Sequence, residues 1–244
     1  MIISTTNTEM AGASDGMESP KLHRRMFIER LAAASVAAAF LGSCAGGKQP
    51  EKEGAAGGVS PGAATGPGEM NTSFKTALEE NRKLPRELVH QLLDQKVDQY
   101  MQLSHHCAQS SFMALKEQFG LESGEVVKAL TPLTGIAERG ETCGAVTGPL
   151  MAMGLIFGRG EQQLGDWATY RSSLVPAGKF CTLFEQAYGS TMCHEIQKGE
   201  FGRCYHLTDP DELREFQEAD ATGHCSEVVK KAVRIAADIL LDEA

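Results

Sequence analysis

None of the short cysteine signatures that identify a redox chemistry at once is present in this chain. No two cysteines are spaced as CxxC, so a thioredoxin-like active site has no support, and no CxxCH occurs to attach a c-type haem. Ferredoxin-type spacings are missing, which removes the standard iron–sulfur motifs. No HExxH, phosphate-loop or Ser/His/Asp pattern is found. Aromatic residues are scarce, at 6% with one Trp, and runs of alternating β-branched residues are lacking. Such runs are what half-buried strands require. Lys and Arg form no cluster beyond the N-terminal segment, and the formal net charge is −9. That balance weighs against nucleic acid as a partner.

What is there predicts an all-α protein: Ala, Leu and Met in abundance, with apolar residues at helical spacing. Residues 71–244 are enough for a single compact multi-helix bundle with its own core. Pro85 suits the first turn of a long helix that carries Leu93, Val97, Met101, Cys107, Phe112 and Phe119 on one side and ends at Gly120. Cys107 is thereby expected deep in that helix, directly after His105 and His106. Ser123 is expected to cap a second helix through Val126, Val127 and Leu130, bent at Pro132 towards Ile136. Helical spacing resumes from Glu161 to Tyr188, with Pro176 and Gly178 expected to divide it. Asp209-Pro210-Asp211-Glu212 reads as a capping box, and a last helix is expected from about His224 to Leu241.

The stretch around which these elements are arranged is Thr142-Cys143-Gly144-Ala145-Val146-Thr147-Gly148. Thr142 can cap a helix and place Cys143 in its first turn, where free amides and the helix dipole favour a thiolate. Gly144 and Gly148 share one face of that turn, and Gly154 and Gly158 repeat the spacing. Paired glycines in a helix imply that another backbone or a cofactor comes very close. By the same reasoning Ser190 caps a helix opening at Cys193, and Cys225 opens the last helix after Thr222 and Gly223.

Residues 1–44 read as an address. Arg24 and Arg25 stand before Met26-Phe27, and Leu31 to Leu41 is an Ala-rich apolar run too short for an ordinary span. The paired arginines resemble a twin-arginine (Tat) signal, with Glu29 where lysine is common. Leu41-Gly42-Ser43-Cys44 resembles a bacterial lipobox, which makes Cys44 the expected lipidation site. Residues 45–70, rich in Gly, Ala and Pro, are expected to be a flexible linker. The expected location is the periplasmic side of a bacterial membrane, lipid-anchored through Cys44.

Apart from Cys44, the seven cysteines leave Cys107, Cys143, Cys181, Cys193, Cys204 and Cys225 in the domain. An even number in an oxidising compartment reads most simply as disulfides. A domain of this size needs no staples, however, and Tat export carries folded proteins, often with a cofactor already inserted. Five of the seven histidines lie within two residues of a cysteine, among them His106, His194 and His224. Histidine can lower a thiol pKa, shuttle protons or ligate metal.

Cys107 in a helix, the CGAxxG block Cys143 to Gly148, Gly189-Ser-Thr-Met-Cys193 and Cys225 before a Val/Ala/Ile helix resemble the C_GCAxxG_C_C family, which is described as redox-active. The resemblance covers about Leu88 to Leu241. It implies an all-helical domain in which Cys107, Cys143, Cys193 and Cys225 form a redox site, and a partner oxidoreductase or membrane redox protein. It names no cofactor. Cys181 and Cys204 are additions to the pattern, as are the lipobox and linker. Three functions remain open on these grounds. The first is a membrane-tethered dithiol or electron carrier. The second is an electron-transfer accessory subunit in which Cys107, Cys143, Cys193 and Cys225 hold an iron–sulfur cluster or another soft metal. The third is a disulfide-stapled binding module without turnover.

Overall fold

The computed structural model describes residues 72–122 and 124–244. The expected Tat-type signal, the expected lipidation site Cys44, the expected linker and the Ser123 cap lie outside the described residues. Ten helical segments follow in order: α1 (Thr72–Arg82), α2 (Arg86–Ser104), α3 (Cys107–Phe119), α4 (Gly124–Ala129), the turn α5 (Gly135–Glu138), α6 (Gly144–Phe157), α7 (Trp167–Tyr188), α8 (Cys193–Phe201), α9 (Pro210–Glu218) and α10 (Ala221–Glu243). Short 3-10 turns precede α5 and α7. Among the described residues there is no strand, and no helix is long and apolar enough to cross a membrane.

α3 occupies the middle, packed on α1, α2, α6 and α10, while α7 closes against α6 and α10. Its Phe112, Leu115 and Phe119 are fully buried with Leu93 and Val97 of α2 and Val229, Val233, Ala236 and Leu240 of α10. Each such side chain contributes roughly 1.5–3 kcal/mol by leaving water. α1 has no counterpart in the sequence reading. It buries Phe74 and Leu78, and its Arg82 donates to the carbonyls of Leu241 (3.0 Å) and Ala244 (2.8 Å), where the end of α10 lacks intrahelical partners.

Three expected elements came out differently. The long helix from Pro85 stops at Ser104. His105 turns left-handed (φ 51), and His106 then caps α3 by accepting from the Gln109 amide. The His106 ring and the Ser104 hydroxyl, which accepts from the His106 amide, offer this backbone an alternative to continuing the helix. Conversely, α7 runs unbroken through Pro176 and Gly178. The Pro176 ring is buried, and Phe180 and Phe184 one and two turns on are fully buried, which offsets the lost hydrogen bond. The bent helix expected beyond Leu130 is replaced by a 3-10 turn and then by α5, whose residues Gly135, Ile136, Ala137 and Glu138 all have φ between 46° and 61°.

A left-handed turn containing three residues with side chains costs roughly 1–2 kcal/mol for each of them. It is held by the amides of Glu138 to Thr134 O (2.9 Å), Arg139 to Gly135 O (3.0 Å) and Glu141 to Gly135 O (3.1 Å). Ala137 is exposed and has φ 56°, so its methyl brings strain without packing. Ala137→Gly is expected to stabilise the protein by about 0.5–1 kcal/mol in chemical denaturation, the relief exceeding glycine's extra chain entropy.

Candidate redox site

The strained turn lies next to the cysteines and helps to bring them together. Thr142 and Met192 form an isolated antiparallel bridge that joins the chain entering α6 to the chain entering α8. Across it the Cys143 amide donates to Thr191 O at 2.9 Å and the Cys193 amide to Glu141 O at 2.7 Å. Thr142 is therefore occupied in this bridge, and Cys143 itself stands at the N-cap of α6 rather than in its first turn. Cys193 is the first residue of α8, with Met192 at the cap and Ser190 Oγ accepting from the Met192 amide (3.0 Å). His194 secures the turn by donating from Nδ1 to Gly140 O (2.6 Å), and its Nε2 faces Glu195 (3.0 Å).

The break at His105 makes Cys107 the first residue of α3 and not a mid-helix residue. The Cys143 thiol lies close to those of both Cys107 and Cys193 and interacts with each. Cys225 completes the wall of the same cavity, about 590 Å³ in volume. Because α10 begins at Ala221, capped by Asp220, Cys225 sits beyond the first turn. Thus Cys107, Cys143 and Cys193 share the helix-terminal placement that the sequence reading assigned to Cys143, Cys193 and Cys225. The four cysteines of the family pattern converge, while Cys181 in α7 and Cys204 after α8 do not line the cavity.

The thiols are electrostatically unequal. Cys107 is lowered to about 6, first by the Cys143 thiol donating to it and then, against the cost of burial, by the Thr134 hydroxyl at 3.0 Å and the Gly144 amide. Cys143 is pushed well up by its contacts with Cys107 and Cys193 and by burial. Burial also pushes up Cys225 and, with Glu185 nearby, Cys181. The half-buried Cys107 is thus favoured as a thiolate, and the buried Cys143 is held as its proton-bearing neighbour.

Gly144 and Gly148 make this arrangement possible. A Cβ on Gly144 would overlap Cys107 Sγ and the Ala108 backbone, and one on Gly148 would overlap Ser111 Oγ and the Ala108 carbonyl. The close neighbour that the paired glycines imply is thus the backbone of α3. Gly154, by contrast, faces open space, and Gly158 only ends the helix.

The remaining predicted residues take supporting places. His106 lines the cavity with its ring fixed between the Gln109 amide and Thr131 O (2.9 Å); these partners put the proton on Nε2. His224 lies 3.5 Å from Glu200 and packs on the Phe201 ring. Two residues absent from the sequence reading belong to the site. Thr134 bonds Cys107, and the buried Gln197 accepts from the Tyr205 amide (2.8 Å) and directs its amide nitrogen to Cys193 Sγ (3.5 Å). Neither belongs to a local motif, and each reaches its cysteine only through the fold. Among the described residues no three His, Cys, Asp or Glu are arranged to hold a metal ion.

The model of a family described as "Putative redox-active protein (C_GCAxxG_C_C)" matches residues 105–239, more than half of the chain and all four cavity cysteines. Neither a curated protein nor a solved structure matches the chain.

Proposed function

Because the chain belongs to the C_GCAxxG_C_C family, we propose that it is a two-electron dithiol/disulfide carrier whose active pair is Cys107 and Cys143. The observation that carries this reading is the Cys107 sulfur held by Cys143, Thr134 and the Gly144 amide at the wall of a cavity. The Cys107 thiolate attacks one sulfur of a substrate disulfide, forming a mixed disulfide and expelling the other sulfur as a thiolate. Cys143 gives its proton to that leaving group and attacks Cys107, which releases the second substrate sulfur as a thiolate that takes a proton from solvent. The substrate disulfide is reduced to two thiols and the protein is left with a Cys107–Cys143 disulfide. Contact between Cys143 and Cys193 then provides a route to pass the disulfide on by exchange, and a partner oxidoreductase restores the dithiol.

Mapping the bridge formed on mild oxidation by mass spectrometry tests the reading. A Cys107–Cys143 bridge is expected. A protein that keeps all its thiols, or joins only Cys181 and Cys204, would overturn it.

The carrier works, in this proposal, outside the cytoplasmic membrane, exported through Arg24 and Arg25 and anchored by lipid on Cys44. Arg24→Lys with Arg25→Lys is expected to leave precursor in the cytoplasm, and Cys44→Ala to abolish labelling by palmitate. Fractionation and labelling check both; normal export of the double variant would sink the Tat assignment.

A further inference from the structure

The walls of the cysteine cavity differ sharply in polarity and charge. Beyond the thiols, its apolar lining includes Phe201, Leu207, Leu213 and Phe216 of the α8–α9 side, with Met101 and Val228. The only acidic residues lining it are Glu138, on the left-handed turn, and Glu200, at the end of α8. No Lys or Arg lines it, and the two histidines that do, His105 and His106, are engaged by Thr222 and by Thr131 and Gln109. Among the described residues, the basic group paired with Glu200 is His224. A negative Cys107 thiolate adds to the same sign of field, against the nearby His106 ring, which favours that charge. At about 590 Å³ the cavity has the size of a small-molecule site, and Cys143 inside it is buried.

We propose that the oxidising substrate of this cavity is a small disulfide with uncharged or cationic substituents, and that Glu138 and Glu200 disfavour anionic ones. The proposal rests on the dithiol reading above and specifies its substrate class. The reaction is balanced as there: RS–SR and the Cys107 and Cys143 thiols become two RSH and one protein disulfide. An anion entering this cavity meets the Glu138 and Glu200 carboxylates on its wall as well as the thiolate, whereas a cation gains from the same groups. Near a protein surface a unit charge a few ångströms from another is worth enough to change a rate by about tenfold. The apolar wall accommodates the body of the substrate while its disulfide meets Cys107.

The reduced full-length protein is mixed with cystamine, bis(2-hydroxyethyl) disulfide or dithiodiglycolate at about pH 8 and low ionic strength, and thiol loss is followed. Each rate is divided by the same probe's rate with a neutral small dithiol, which removes differences in intrinsic reactivity. The normalised rates are expected to fall in the order cation, neutral, anion, spanning about tenfold or more. The span should shrink to about twofold in Glu138→Gln/Glu200→Gln and narrow in added salt. Equal normalised rates, a faster anion, or a span unchanged in the double variant would overturn the charge selectivity while leaving the dithiol reading intact. Failure of all three probes to oxidise a folded, reduced protein would instead overturn the dithiol reading, and this proposal with it.

Discussion

Iodoacetamide should alkylate one thiol of the reduced protein with a midpoint near pH 6, and Cys107→Ser should abolish that phase together with disulfide exchange. The expectation follows from Cys107, lowered to about 6 from an ordinary 9.0 by the Cys143 thiol, the Thr134 hydroxyl and the Gly144 amide. At neutral pH this thiol is then mostly thiolate, while Cys143 remains protonated. Thr134→Val keeps the shape and removes one donor to the charge, so its midpoint should rise by about one unit. Cys143→Ser should leave the mixed disulfide at Cys107 unresolved, visible as a trapped adduct in mass spectrometry. An ordinary titration of Cys107 would remove the argument for it as nucleophile. The sign of the linkage follows from the same shift. A depressed thiol pKa means that folding favours the thiolate, so this contribution to stability is complete above about pH 9 and is lost as pH falls through 6. Cys143, shifted upwards, contributes in the opposite sense: its share is complete below the ordinary thiol range and is lost as pH rises beyond it.

Gly144→Ala is expected to cost about 3 kcal/mol or more and to disable the site at the same time. The added methyl has no room, because Cys107 Sγ and the backbone of Ala108 already occupy its position. Relief requires α3 and α6 to separate, and their close packing positions Cys107 against Cys143 and the Gly144 amide. Gly154→Ala, in the same helix but facing open space, should instead stabilise by about 0.5–1 kcal/mol through helix propensity alone. Denaturant titration of the two variants separates a steric demand at Gly144 from a general intolerance of α6. Destabilisation of equal size in both would refute the close-approach role.

Much of this was legible along the chain. The helical class and the ends at Gly120 and Asp209 could be read there, because periodicity and capping are local properties. The intimacy of Gly144 and Gly148 with another segment was also legible, since glycine in a helix costs stability without a compensating contact. The identity of that segment was not. A glycine pair records that space is needed, not which backbone fills it.

The ordering of the cysteines was decided by the fold. Read locally, a helix-terminal thiol at Cys143 is the natural nucleophile, and Cys107 lies inside a continuous apolar face. The break at His105 and His106 moves Cys107 to a helix start, and Thr134 and Gly144, distant in sequence, add donors to its sulfur. Cys143 meanwhile lies close to two other thiols and loses acidity. Helix starts and apolar faces arise from residues a few positions apart, so the sequence alone determines them. A thiol's acidity depends on charges and donors within a few ångströms, and here α3, the left-handed turn, α6 and α8 bring them together. Only the tertiary structure decides that.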